Sequence, residues 1–139
     1  MGDPSVPQAG RFRINETPVT KKTILIVDDS LFILERLMKM LQKLGTANLI
    51  LTASNYGDAQ QILQQTKIDI TILDIHLQAR SGIDLLRMAR ELYPDTLVIM
   101  LTNQVSEQVA IECKKLGADY FLDKSKDFAK IPVIFGSLD

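Results

Sequence analysis

The chain has 139 residues, 46% of them hydrophobic and 24% charged, which suits one buried core and argues against a disordered or fibrous chain. Its 16 Lys+Arg against 17 Asp+Glu give a net charge of −1, so no basic excess exists to hold a nucleic-acid backbone and direct nucleic-acid binding is not expected. A single cysteine excludes an internal disulfide and a cysteine-rich zinc module. The longest apolar runs, such as Leu97 to Leu101, fall far short of the roughly 18 residues a membrane span needs. The start of the chain carries Pro4, Pro7 and Gly10 where a signal peptide carries an apolar stretch, so the expected class is a soluble cytoplasmic domain without membrane contact.

Residues 1–21 read as a flexible tail, with three prolines, no sustained period and few large apolar side chains to offset the entropy of ordering. Charge divides unevenly: residues 1–22 carry a net +2 and the remainder a net −3. Residues 22–139 are expected to form one domain. Thr23–Val27 is a continuous apolar run suited to a strand covered on both faces. Ser30–Leu44 follows as a helix with its stripe at Leu34, Leu37, Met38, Leu41 and Leu44, stopped by Gly45. Leu49–Ala53 is a second strand, and Asn55 can cap a helix running to about Thr66. Ile68–Leu73 reads as a third strand and Ile83–Leu92 as a helix closed by Tyr93-Pro94. The most apolar strand is Leu97–Leu101. Ser106 caps a helix through Leu116 that Gly117 ends, with Cys113 on its apolar stripe as an inert thiol. Tyr120–Leu122 is a last strand, and a short helix over Ile131–Leu138 has Pro132 in its first turn.

Five strands alternating with helices predict a parallel sheet with helices on both faces, and in such sheets ligands bind beyond the carboxyl ends of the strands. Asp28 and Asp29 end the first strand, Asp74 the third and Thr102 the fourth, while Lys124 lies just past the fifth. An aspartate after a strand is commonly only a turn residue or a cap, but caps alone do not require three carboxylates, a hydroxyl and an ammonium along one sheet edge. Clustered carboxylates repel, by roughly 4 kcal/mol per pair at 4 Å and an effective dielectric of 20, unless their pKa values rise or a hard divalent cation neutralises them. Oxygen ligands without a His/Cys cluster suit Mg²⁺ together with a phosphoryl group. Asp74, alone at its strand end, is the candidate nucleophile for an aspartyl-phosphate, with Lys124 and Thr102 stabilising the transferred group and adjacent Asp28 and Asp29 suited to holding the metal.

On these residues the chain resembles the receiver domains of bacterial two-component response regulators. The resemblance is carried by ILIVDDS (24–30), ITILDIHL (70–77) with Gly82, IMLTNQ (99–104) and GADYFLDKS (117–125), and covers about Lys22 to Phe128. It implies a flavodoxin-like, doubly wound five-stranded sheet of order 2-1-3-4-5. It further implies that Asp74 accepts phosphate from a sensor histidine kinase or a histidine phosphotransfer protein. Asp28, Asp29, Asp74 and the main-chain carbonyl of His76 would hold Mg²⁺, and Lys124 would pair with the phosphoryl group. Thr102 and Phe121 would form the switch, while His76 and Gln104 would tune hydrolysis. Ile111, Lys115 and Tyr120 fall on the face that partners read in the family.

Three departures stand out. Gln78 replaces the usual proline four residues after the acceptor, which leaves the loop before Gly82 less constrained. Ser125 follows the lysine where the family usually has a cis-linked proline, and a cis bond before a non-proline residue costs about 3 kcal/mol. Phe121 carries no phenolic hydroxyl. After Asp127 only FAKIPVIFGSLD remains, so the expectation is a stand-alone receiver with a short last helix. Such a receiver reports through a downstream protein target, as a monomer or a weak phosphorylation-dependent dimer, without turning over a separate substrate. The alternatives are the regulatory domain of a larger transcription factor or enzyme, a Mg²⁺-dependent phosphohydrolase, and a receiver-like module that is never phosphorylated.

Overall fold

The computed structural model describes residues 22–138 apart from Thr46 and Gln104, so the expected tail over 1–21 and the hydrolysis-tuning assignment to Gln104 lie outside the described residues. Within them, strands and helices alternate without exception. The elements in chain order are β1 (Lys22–Val27), α1 (Leu31–Leu44), β2 (Ala47–Ala53), α2 (Tyr56–Gln65) and β3 (Ile70–Leu73), followed by α3 (Gly82–Leu92), β4 (Leu97–Thr102), α4 (Glu107–Lys115), β5 (Tyr120–Asp123) and α5 (Lys130–Gly136). The five strands pair in parallel in the order β2-β1-β3-β4-β5. This is the doubly wound 2-1-3-4-5 sheet that the sequence implies.

Continuous apolar strands produce two cores, one on each face. Leu25, Val27, Leu73, Val98 and Met100 meet Ala59 and Leu63 of α2, Leu85, Leu86 and Ala89 of α3 and Cys113 of α4. On the opposite face Ile24, Ile26, Ile72, Ile99 and Leu101 meet Leu34, Leu37 and Leu41 of α1 and Ile131, Ile134 and Phe135 of α5. Each such side chain taken out of water contributes on the order of 2 kcal/mol. Burial also raises the pKa of the Cys113 thiol, in keeping with an inert core cysteine.

Four helices begin at side-chain caps, two of which, Asn55 and Ser106, the sequence already marks. Ser30, Asn55, Ser81 and Ser106 each accept a backbone N–H of the first turn through the side-chain oxygen, and Gly45 closes α1 in the left-handed conformation. The third strand starts two residues later than its apolar run suggests. There the Asp69 carboxylate takes the Thr23 amide at 2.8 Å, while the Asp69 backbone donates to the Thr23 carbonyl and accepts from the Leu97 amide, each at 2.9 Å, just ahead of the first paired residue. The last helix is also shorter than Ile131–Leu138 and ends at Gly136. At the amino-terminal edge of the sheet, Arg90 joins two turns by donating to the carbonyls of Pro94, Thr96 and Gly117 and to the Asp119 carboxylate.

Candidate phosphoacceptor site

Register sets the site. Val27 of β1 lies opposite Leu73 of β3, so the residues that follow them, Asp28 and Asp74, leave the sheet side by side. The final ladder bonds extend this order: the Asp74 amide donates to the Val27 carbonyl at 2.9 Å, and the Lys124 amide donates to the Thr102 carbonyl at 3.0 Å. Side chains from four positions that are distant in sequence therefore converge on one edge.

Their geometry is tight. Lys124 Nζ lies 2.6 Å from Asp28 Oδ2 and 3.0 Å from Asp74 Oδ2, and its side chain is only 8% exposed. The remaining oxygens have donors as well, since Ser30 N–H reaches Asp28 Oδ1 at 2.9 Å and His76 N–H reaches Asp74 Oδ1 at 3.3 Å. Asp28, Asp29 and Asp74 each present a carboxylate oxygen within 4.8 Å of the others. Asp28 and Asp74 are buried and Asp29 is exposed, so the cluster opens to solvent through Asp29. Thr102, fully buried, and His76 line the same cleft of about 460 Å³.

Electrostatics follow burial. Desolvation lifts the Asp28 carboxyl above its ordinary pKa despite the Lys124 ammonium and the Ser30 amide. Burial pulls the Lys124 ammonium toward neutrality, yet the hydrogen bonds to Asp28 and Asp74 outweigh it and hold the lysine above its usual value. An all-oxygen donor set with a surplus of negative charge fits a hard divalent cation.

Beyond Lys124 the chain turns on Asp123. Among the described residues no peptide bond is cis, so the Lys124–Ser125 link is trans where the family usually has a cis bond. Asp123 Oδ1 accepts both the Ser125 amide at 2.8 Å and the Ser125 hydroxyl at 2.7 Å, and these bonds hold the Asp123 pKa below its ordinary value. A depressed folded pKa means the contribution is full above the ordinary carboxylate pKa and disappears as pH falls through the folded value. Ser125→Ala is accordingly expected to be less stable than wild type at neutral pH. In urea unfolding from pH 7 into the acid range, the gap should narrow below the ordinary carboxylate pKa of 3.8. A gap that stays constant through the acid range would contradict this.

Of the other expected residues, Ile111 and Tyr120 are 48% and 37% exposed. With half-buried Phe121 they line a groove of about 280 Å³ between α4 and β5, and Lys115 lies outside that lining. Sequence reading did not single out Ser30 as a donor to Asp28, or Phe32, which is 70% exposed at the rim of the cleft. A signal existed: Leu31 and Phe32 fall off the Leu34–Leu37–Leu41 stripe that α1 buries.

Fold and site together define a signal-receiving domain of the two-component type. The chain belongs to the response regulator receiver domain family, whose model matches residues 24–134. It is 29% identical over 106 residues to the photosynthetic apparatus regulatory protein RegA of Cereibacter sphaeroides, covering 76% of this chain and 56% of RegA. Among solved structures it superposes with a TM-score of 0.73 and 29% identity on a response regulator from Burkholderia pseudomallei with a phosphorylated aspartic acid, calcium ion and citrate, covering 80% of this chain and 64% of that one. A CheY-like receiver domain protein from Methanospirillum hungatei gives a TM-score of 0.72 at 26% identity, covering 84% of this chain and 94% of that one. The chain thus spans little more than half of RegA. Among the described residues no helix is long and apolar enough to cross a membrane.

Proposed function

We propose that this receiver is phosphorylated on Asp74 by a histidine kinase or a histidine phosphotransfer protein, with Mg²⁺ as the cation. The observation that carries the reading is the Asp74 carboxylate itself, with one oxygen 3.0 Å from Lys124 Nζ and with Asp28 and Asp29 oxygens inside the same 4.8 Å cluster. Asp28, Asp29, Asp74 and the main-chain carbonyl of His76 would hold Mg²⁺. When bound, the ion supplies positive charge against the phosphoryl oxygens. The calcium ion and phosphorylated aspartate of the Burkholderia pseudomallei relative support a divalent cation and a phosphoacceptor at the corresponding site.

The chain's own residues do the rest. An Asp74 oxygen attacks phosphorus, the phosphorus–nitrogen bond of the donor phosphohistidine breaks, and its electron pair stays on the imidazole, which then takes a proton. Lys124, already beside Asp74, follows the charge onto the phosphoryl oxygens, and the Thr102 hydroxyl at the end of β4 offers a hydrogen bond. That shift toward the phosphoryl group biases a two-state equilibrium in which Phe121 buries further. His76 lines the approach of hydrolytic water. Output then passes through protein contacts, and the exposed apolar groove at Ile111 and Tyr120 is the surface that supports this. The same chemistry serves a stand-alone regulator and a receiver joined to an output domain, and the reading frame of the gene separates the two.

The test is intact-mass analysis after incubation with acetyl phosphate and Mg²⁺. Wild type is expected to gain one phosphoryl group and Asp74→Asn none. An equal gain in the variant would move the acceptor elsewhere.

A further inference from the structure

The loop between β3 and α3, residues 74–81, carries both Asp74 and the His76 carbonyl, and residues 78–80 form its exposed turn. Its inner closure is by backbone: Gly82 N–H donates to the Ile75 carbonyl at 2.7 Å, and His76 and Ser81 form an antiparallel bridge. Ile75 and Leu77 anchor the loop inward, in the same core cluster as Tyr56, and one further side chain ties its exposed turn outward. The Arg80 guanidinium carbon lies 4.3 Å from the centroid of the Tyr56 ring, and Nη2 lies 3.5 Å from Asp84 Oδ2. Tyr56 opens α2 and is only 7% exposed, so its ring is a platform held by the core. Asp84 is a half-buried partner already engaged by Arg87 at 3.0 Å, and both arginines are more than half exposed, so pairs of that kind contribute little. The stack on Tyr56 is therefore the contact that matters, because a guanidinium over a largely buried aromatic face is the stronger interaction.

We propose that Arg80 is a positioning residue: stacked on Tyr56, it clamps the β3–α3 loop to α2 and so fixes the His76 carbonyl for the divalent cation. The clamp restrains the exposed turn at 78–80, while Ile75 and Leu77 hold the inner side of the loop. Its effect on the cation rests on the function proposed above, while the clamp itself is a property of the loop.

The experiment uses the full chain and follows the amide hydrogen exchange of His76 and Gly82 by NMR, together with a Mg²⁺ titration. Arg80→Met keeps the aliphatic stem and removes the cation, Tyr56→Leu removes the ring, and Tyr56→Phe keeps it. Arg80→Met and Tyr56→Leu are each expected to speed exchange of both amides and to weaken Mg²⁺ binding by about three-fold. Tyr56→Phe should behave as wild type, and the double variant Arg80→Met/Tyr56→Leu should be no worse than the more severe single one, because both changes remove one contact. In Arg80→Met the core amides of Leu37 and Val98 should keep wild-type exchange, which separates a clamp from a general loss of stability. Unchanged loop exchange in Arg80→Met, or single effects that multiply in the double variant, would overturn the inference. If wild type takes up no Mg²⁺, the proposed function fails, and the exchange data still decide the clamp.

Discussion

Lys124→Ala is expected to accept phosphate from acetyl phosphate at least about 100-fold more slowly than wild type while binding Mg²⁺ more tightly. The two effects have one origin. Lys124 Nζ sits 2.6 Å from Asp28 Oδ2 and 3.0 Å from Asp74 Oδ2, so before any cation enters it is the positive charge that these carboxylates share. Removing it leaves the acidic cluster with its full negative charge, which raises the attraction for a divalent ion. It also removes the donor aimed at the phosphoryl oxygens as charge develops there. Without metal, Lys124→Ala should be less stable by about 3 kcal/mol, the usual consequence of stripping the partner from a buried ion pair. Urea unfolding with and without Mg²⁺ checks this: the deficit should shrink when the ion is present, because the ion binds only the folded cluster. A variant that keeps the wild-type rate, or that binds Mg²⁺ more weakly, would show that Lys124 is a scaffold residue rather than part of the transfer chemistry.

Much of this was legible in the order of residues because the site is built by topology. A parallel sheet brings the ends of β1, β3, β4 and β5 to one edge, so residues that follow apolar runs are neighbours before any side chain is placed. Asp28, Asp74, Thr102 and Lys124 were readable for that reason, and the caps Asn55 and Ser106 were readable because each stands just before a period-3.6 pattern, whereas the cap roles of Ser30 and Ser81 emerged only in the structure. What escaped depends on long-range contact. The entry to β3 could not be placed because Ile68 is as apolar and as buried as the strand residues, and only the bonds of Asp69 to Thr23 and Leu97 show where the ladder starts. Arg80 carries no sequence signal for its partner, since Tyr56 is distant in the chain and the stack exists only after α2 and the β3–α3 loop are in place. Lys115 was grouped with Ile111 and Tyr120 from its position on α4, but the groove they line takes Lys114 from that helix instead.

The second large effect belongs to a residue with no side chain. A Cβ added at Gly82 would lie 1.9 Å from the Asp74 carbonyl oxygen, 2.8 Å from the Asp74 carbonyl carbon and 3.1 Å from Ile75 Cα. All three are backbone atoms, and they belong to Asp74, the proposed phosphoacceptor, and the residue beside it. No rotamer change relieves such a contact, so the loop must move, breaking the 2.7 Å bond from Gly82 N–H to the Ile75 carbonyl and the bridge between His76 and Ser81. Gly82→Ala is therefore expected to lose about 3 kcal/mol of stability, at the upper end for overpacking a filled site, and to lose most of its phosphoacceptance because Asp74 shifts with the loop. Gly57→Ala is the contrasting case: its Cβ would meet only Asn55 Oδ1, at an ordinary 3.6 Å, and inside α2 alanine is favoured over glycine by up to about 1 kcal/mol. Urea midpoints for the two variants should move in opposite directions, with acetyl phosphate labelling retained only in Gly57→Ala. A Gly82→Ala protein with wild-type stability and labelling would mean that the loop can open at no cost, and that the Asp74 carbonyl is not fixed against α3.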